Sequence, residues 1–380
     1  MMNTIILFVW VLSSFISFEK DSLALRTDSY SEIEKLINEE YEKGNFSGSI
    51  VIGNKDGMLF QKHAGIANRV WNIPVASDTR FDIASVNKSF IAALILKAVE
   101  EKRLELDSKL VDLLDDVSYS GRFNSSITIH QMLSHTSGIP DYDGVPEPLK
   151  KNEFSRFKRL HFDPDSYTDF ISQLPPRFNP GEGFYYSNFG YHLLAIILEK
   201  IYEKPFEEIL KEKISIPYGL DQTFSTTNNE EVFPRLAEAY NYKNGAKEWY
   251  RNSFIDLTLG RRIFSTAGDL FKWGQVISKL ELLEPLLQKK MTTNHLESIT
   301  DEMSYGYGWV VYQPGDHFQM GDLGIDLPYL IHGGSTEGYR SMLIIIDEGK
   351  LIFSMTTNSG NRANEMELSK RIVQLLIAKK

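Results

Sequence analysis

Phe90-Ile91-Ala92-Ala93-Leu94-Ile95-Leu96 is apolar at every position of a helical stretch. A helix apolar all round has no face to give to water, so it must lie at the centre of a domain. Other elements then have to cover it on every side. The spacing of Ile33, Leu36, Ile37 and Tyr41 predicts an amphipathic helix over 29–43, and a β-hairpin follows at 48–53 and 58–61 around Asn54-Lys55-Asp56-Gly57. Strand patterns return at 305–312, 327–332, 339–346 and 351–357, with a closing helix at 365–379. Between these the patterns are helical, at 84–102, 128–135, 167–174, 187–203 and 206–214. Sheet at both ends around a helical middle predicts an α/β fold: a sheet domain from 25–83 and 255–380, with a mostly helical lobe over 84–254 inserted in it.

Composition narrows the functions open to such a chain. With 380 residues and a net charge of −10 it lacks the basic surface that a nucleic-acid or anionic-membrane binder needs. It has no cysteine, which removes disulfides, thiolate metal sites and a Cys nucleophile. The apolar run from Ile5 to Phe18 is shorter than a membrane span of about 20 residues. It fits the hydrophobic region of a signal peptide over 1–24, with Ser22-Leu23-Ala24 as the cleavage site, so the protein is expected to be exported to the periplasm or cell exterior. An uncleaved anchor and a buried N-terminal helix are the alternatives. After signal removal no membrane span is expected.

Several catalytic signatures are missing. There is no Gly-x-Ser-x-Gly, no phosphate loop, no His-Glu-x-x-His and no Gly-x-Gly-x-x-Gly. The eight histidines are scattered, and neither a metal nor a cofactor is expected. What remains is Ser-x-x-Lys, found at Ser17/Lys20, Ser85/Lys88 and Ser155/Lys158. Only the middle pair opens the central apolar helix. At about 100° per residue Lys88 shares a face with Ser85 and Ile91, while Lys97 points away. A lysine among apolar groups loses solvation of its charged form, and its pKa falls toward the range where the amine can take a proton. The pattern equally fits an N-cap serine with a lysine snorkelling to solvent.

Two further elements accompany this pair. Tyr186-Ser187-Asn188 follows the turn Pro180-Gly181-Glu182-Gly183 and caps an apolar helix, so Tyr186 is either an aimed phenol or a packing residue. His332-Gly333-Gly334-Ser335 lies between two predicted strands. Its glycines let a substrate lie against the backbone, and the Ser335 N–H could join that of Ser85 in an oxyanion hole; a plain turn with an incidental histidine is the alternative.

In order, these elements resemble the serine β-lactamase and penicillin-binding-protein family, and within it the class C-like branch of D-Ala-D-Ala carboxypeptidases, D-aminopeptidases and family VIII-type esterases. The matching text is Ala84-Ser85-Val86-Asn87-Lys88, Ser134-His135-Thr136-Ser137-Gly138, Tyr186-Ser187-Asn188, Ser265-Thr266-Ala267-Gly268-Asp269 and His332-Gly333-Gly334-Ser335. The resemblance implies a five-stranded antiparallel sheet flanked by helices, with the active site in the groove beside a helical lobe. It implies an acyl-enzyme on Ser85, activation by Lys88 and Tyr186, orientation of substrate by Asn188, and one wall from His332, Gly333, Gly334 and Ser335. The substrate would be a small ester, amide or peptide, and the His135 segment would be structural. Where many relatives carry Lys-Thr-Gly this chain has His332-Gly333-Gly334, and a mostly neutral imidazole weakens carboxylate recognition. Ester or peptide cleavage is therefore expected ahead of β-lactam hydrolysis, with a β-lactamase or a non-turnover cell-wall peptide sensor as alternatives. Arg340 is expected to be an exposed strand residue, and Glu284 not to be a deacylating base.

Overall fold

The structure, a computed structural model, describes residues 26–150, 157, 160–251, 257 and 260–377. The signal-like segment and the Ser17/Lys20 and Ser155/Lys158 pairs lie outside the described residues.

The main sheet joins the two ends of the chain. Its strands are β1 (Gly48–Gly53), β2 (Met58–Ala64), β3 (Val310–Tyr312), β4 (Tyr329–Thr336), β5 (Tyr339–Ile346) and β6 (Leu351–Thr357). They run antiparallel in the order β3-β4-β5-β6-β1-β2. Five of them form the expected sheet, and the three-residue β3 adds a sixth at its edge. The β1–β6 pairing, with Gly48 opposite Thr357, closes the molecule on itself.

Strand alternation sends side chains to two cores. Ile50, Ile52, Ile344 and Phe353 pack with Ile33 and Ile37 of α1 (Tyr30–Glu42) and Ile372 and Val373 of the closing C-terminal helix (Glu365–Ile377). On the other face Val51, Leu343, Ile345 and Ile352 join the larger core around α2 (Asn87–Glu100). Every residue from Phe90 to Leu96 is fully buried. Their cover comes from α3 (Ile129–Leu133), α4 (Asn188–Tyr202) and α5 (Ala267–Ser278), which share that core. Phe90 stacks on Trp273 of α5 at 4.4 Å, and the Trp273 indole N–H donates to Ser89 Oγ at 3.0 Å. Among the described residues no helix is long and apolar enough to cross a membrane.

Three boundaries differ from the sequence reading, each for a local reason. The helix predicted from 84 starts as a 3-10 turn over Ala84–Val86, because Ala84 is left-handed at φ 47°. The strand predicted over 305–312 shrinks to β3. Gly308, at φ 76°, passes so close to α2 that an added Cβ would lie 2.6 Å from the Lys88 carbonyl oxygen, and this approach breaks the strand. Conversely β4 runs on to Thr336, so His332 to Ser335 lie inside a strand and not between two. A small sheet that periodicity does not reveal pairs Phe81–Asp82 with Ile263–Ser265, which pairs in turn with Phe224–Ser225.

Candidate active site

Ser85 sits in the turn between the small sheet and α2, and the turn is held from both sides. The Asp82 carboxylate accepts the Ala84 N–H at 2.7 Å, and the buried Ser341 hydroxyl donates to the Ile83 carbonyl at 2.6 Å. These bonds hold a left-handed alanine that costs about 1 kcal/mol. Gly334 of β4 lies directly against this turn. A Cβ there would come within 2.2 Å of the Ile83 carbonyl oxygen and of Ser341 Oγ, so only glycine lets strand and turn meet. Neither the turn nor α2 has a side-chain N-cap, so the capping reading of Ser85 is set aside.

Lys88 lies one turn further on and is 3% exposed, which disposes of snorkelling. Its Nζ is 3.5 Å from Ser85 Oγ, donates to Asn188 Oδ1 at 2.7 Å, and stands 4.7 Å above the Tyr186 ring centre. Burial pulls its pKa down to about 7, while the charge of Asp141 pulls the other way. Burial likewise pushes Asp141 up to about 6, against the attraction of Lys88 and a hydrogen bond from Asn188. A free amine is thus accessible near neutral pH.

The Tyr186-Ser187-Asn188 junction is built by the His135 segment. His135 is itself left-handed at φ 59°. Its carbonyl accepts the Tyr185 N–H at 2.9 Å and its Nδ1 accepts the Ser187 N–H at 3.1 Å. Ser187 Oγ accepts the Gly190 N–H at 3.0 Å, capping α4, and donates to the Pro140 carbonyl at 2.8 Å. His135 therefore holds the loop, as the structural reading expected, and burial keeps its imidazole neutral. Tyr186 hydrogen-bonds Ser85, and burial drives its pKa well above the usual phenol value. The resting group is a phenol, and of the two only Lys88 has a pKa near neutrality.

Ser85, Lys88 and Asn188 line one cleft with Asp82, Ala84, Asn87, Tyr142, His192, Gly260, Arg262, Ser335 and Thr336. The third motif divides here. Ser335 and Thr336 form the wall, but His332 does not. Its side chain is 4% exposed, with Nδ1 donating to the Gly333 carbonyl at 2.8 Å and Nε2 accepting from Tyr305 at 3.2 Å. It lies behind Tyr186, with ring centres 6.3 Å apart, and burial lowers its pKa to about 3. His332, expected as a substrate-facing residue, thus lies buried behind Tyr186, on the same face of β4 as Gly334 and Thr336, and does not line this cleft. Gly334 serves the strand's close approach, whereas a Cβ at Gly333 would meet nothing nearer than the Met342 side chain at 3.4 Å. Arg340 is half-buried and not exposed, donating to the Thr336 and Tyr339 carbonyls. Glu284 is an exposed residue ahead of the helix Pro285–Met291.

Sequence reasoning missed Asp141, Arg262 and His192. His192 follows Asn188 by one turn of α4, and its Nδ1 pairs with the Tyr167 hydroxyl at 2.6 Å. Arg262 is ion-paired with Asp82. Helical spacing from Asn188 could have found His192, whereas nothing local marks Asp141 or Arg262. Among the described residues no cluster of His, Asp or Glu side chains could hold a metal ion.

A family model described as Beta-lactamase matches residues 33–377. The chain belongs to the beta-lactamase family. It is thereby a member of the acyl-serine hydrolase superfamily. Within it, the chain is 23% identical over 368 residues to penicillin-binding protein 4* of Bacillus subtilis, covering 93% of this chain and 77% of that one. Protein flp of Staphylococcus aureus is 31% identical over 217 residues, 54% of this chain; the match spans only 40% of flp's length. The solved D-stereospecific amidohydrolase of a Streptomyces species superposes with a TM-score of 0.75 at 19% identity, covering 92% of this chain and 98% of that one, and shows the same beta-lactamase fold.

Proposed function

We propose that this protein is an exported serine hydrolase that cleaves an ester or amide bond of a small substrate through an acyl-enzyme on Ser85. The observation that carries this reading is the buried Lys88 amine, 3.5 Å from Ser85 Oγ with a pKa near 7. Ser85 Oγ attacks the carbonyl carbon as its proton passes to Lys88 Nζ. The tetrahedral oxyanion is met by the N–H groups of Ser85 and Ser335. The protonated amine returns the proton through the Tyr186 phenol to the leaving alkoxide or amine, the carbon–heteroatom bond breaks, and the acyl group stays on Ser85. Water then repeats the sequence with Lys88 as base and releases the acid. Asn188 holds Lys88, and Ser335 and Thr336 supply the wall along which the substrate lies. Export is supported by the apolar run from Ile5 to Phe18.

Preference for a simple ester or peptide over a β-lactam rests on cations. The His332 imidazole is buried and neutral, Arg262 is paired with Asp82, and Arg340 is spent on backbone carbonyls. None is a lysine-like charge waiting for a carboxylate.

The test is intact-mass labelling of wild type and Ser85→Ala with a fluorophosphonate and with a penicillin. Parallel turnover of a p-nitrophenyl ester, a D-amino-acid amide and a chromogenic cephalosporin completes it. Adducts on wild type alone, with ester or amide turnover, are expected. Equal labelling of both proteins removes Ser85 from its role. Fast cephalosporin turnover alone makes the protein a β-lactamase, and a stable acyl-enzyme without turnover makes it a sensor.

A further inference from the structure

We infer that Asp141 is a positioning residue that fixes the sense of the Asn188 side-chain amide and thereby aims the lone pair of the Lys88 amine at Ser85. The inference rests on the acyl-enzyme reading above and adds to it a residue that never touches substrate.

The geometry is a chain of hydrogen bonds whose direction Asp141 sets. The Asp141 carboxylate can only accept, and Asn188 Nδ2 donates to its Oδ2 at 2.8 Å. That leaves Asn188 Oδ1 facing Lys88, at 2.7 Å from Nζ. An amide oxygen can only accept, so the lysine must spend an N–H on it. A neutral amine has two N–H bonds and one lone pair; with an N–H committed to Asn188, the lone pair is free to turn to the Ser85 hydroxyl at 3.5 Å. Were the amide reversed, its NH2 would donate to the lone pair, and the amine would be blocked as a base.

The burial of the group fits this role. Asp141 is half-buried and is not among the residues that line the cleft; its carboxylate meets the site through the Asn188 amide. The titratable groups around it are few. Lys88 faces it from α2 and Tyr186 from the loop before α4; Tyr142 is its chain neighbour, and Tyr167 comes from the helix Pro164–Ser172. Arg262 and Glu337 act on Tyr142 from beyond. All the phenols are held protonated by burial, so Lys88 and Asp141 are the pair that titrates near neutrality.

The experiment measures the acylation burst of a p-nitrophenyl ester against pH for wild type, Asp141→Asn and Asp141→Leu, with the Ser85 adduct located by mass. In Asp141→Asn the negative charge that favours protonated Lys88 is gone, so the acid limb of acylation is expected to move to lower pH. Its plateau falls, because an amide at 141 no longer dictates the sense of Asn188. Asp141→Leu loses the anchor, and acylation is expected to drop by about 10²- to 10³-fold with little change in KM. A residue that merely supported the loop would lower stability and leave the limb where it was. An Asp141→Asn enzyme with an unmoved limb and a plateau within about twofold of wild type overturns the inference, even if the Leu variant fails to fold. Absence of a Ser85 adduct in wild type would instead overturn the acyl-enzyme reading.

Discussion

Replacing Lys88 by arginine tests the centre of this site, because it keeps the charge and removes the base. A lysine at its ordinary pKa of 10.5 offers a free amine in only about one molecule in 3,000 at pH 7, whereas at a pKa of about 7 the fraction is about one half. Burial therefore raises the supply of base by about 10³-fold, a shift on the order of 5 kcal/mol. A guanidinium never gives up its proton in this range, so Lys88→Arg keeps a cation beside Asp141 and Asn188 with no base at any pH. Burst kinetics of ester acylation should show a wild-type acid limb at about pH 7, and a Lys88→Arg rate lower by about 10²- to 10⁴-fold with no such limb. Lys88→Met, which keeps the stem without the charge, should be equally inactive and should report on stability. The folded pKa of Lys88 is depressed, so between about 7 and 10.5 the unfolded chain binds the extra proton and the site's cost shrinks as pH rises. Below that window the cost is present in full. The stability gap between Lys88→Met and wild type should accordingly narrow from about pH 7 upward. A wild-type limb near pH 10, or a Lys88→Arg enzyme keeping more than about a tenth of the acylation rate, would refute the assignment of the base.

Two other substitutions separate wall from support. Gly334→Ala places a methyl 2.2 Å from the Ile83 carbonyl oxygen, a backbone atom that cannot swing aside, so thermal denaturation should show a loss of about 1–3 kcal/mol and acylation should fall as the Ser85 turn is displaced. An unchanged Tm would mean that β4 does not press on that turn. His332→Gln should leave the acid limb of acylation in place, because the imidazole is already neutral, with a pKa near 3. A limb that moves or vanishes in this variant would transfer the titration from Lys88 to His332.

The two halves of the site were legible to different degrees. Ser85 and Lys88 could be chosen over the other Ser-x-x-Lys pairs because an all-round apolar helix follows them, and burial of that helix is enough to bury the lysine. Tyr186 could be placed because a turn and a cap flank it. The burial of His332 was not legible, because it comes from Tyr186 and Tyr305, which approach from other segments. Asp141 and Arg262 stayed silent for a similar reason. Each acts through one partner, Asn188 or Asp82, that lies many residues away.

By itself the sequence determined that a central helix would be buried, that the ends of the chain would supply the sheet, and that a serine and a lysine would share one face at the helix start. Those are consequences of short-range periodicity and of the cost of exposing apolar surface. Only the tertiary structure decided which side of β4 meets the cleft, how far the Lys88 pKa falls, and which carboxylate orients the amide beside it. These depend on desolvation and on directed hydrogen bonds between distant segments, quantities that exist only once the segments are packed.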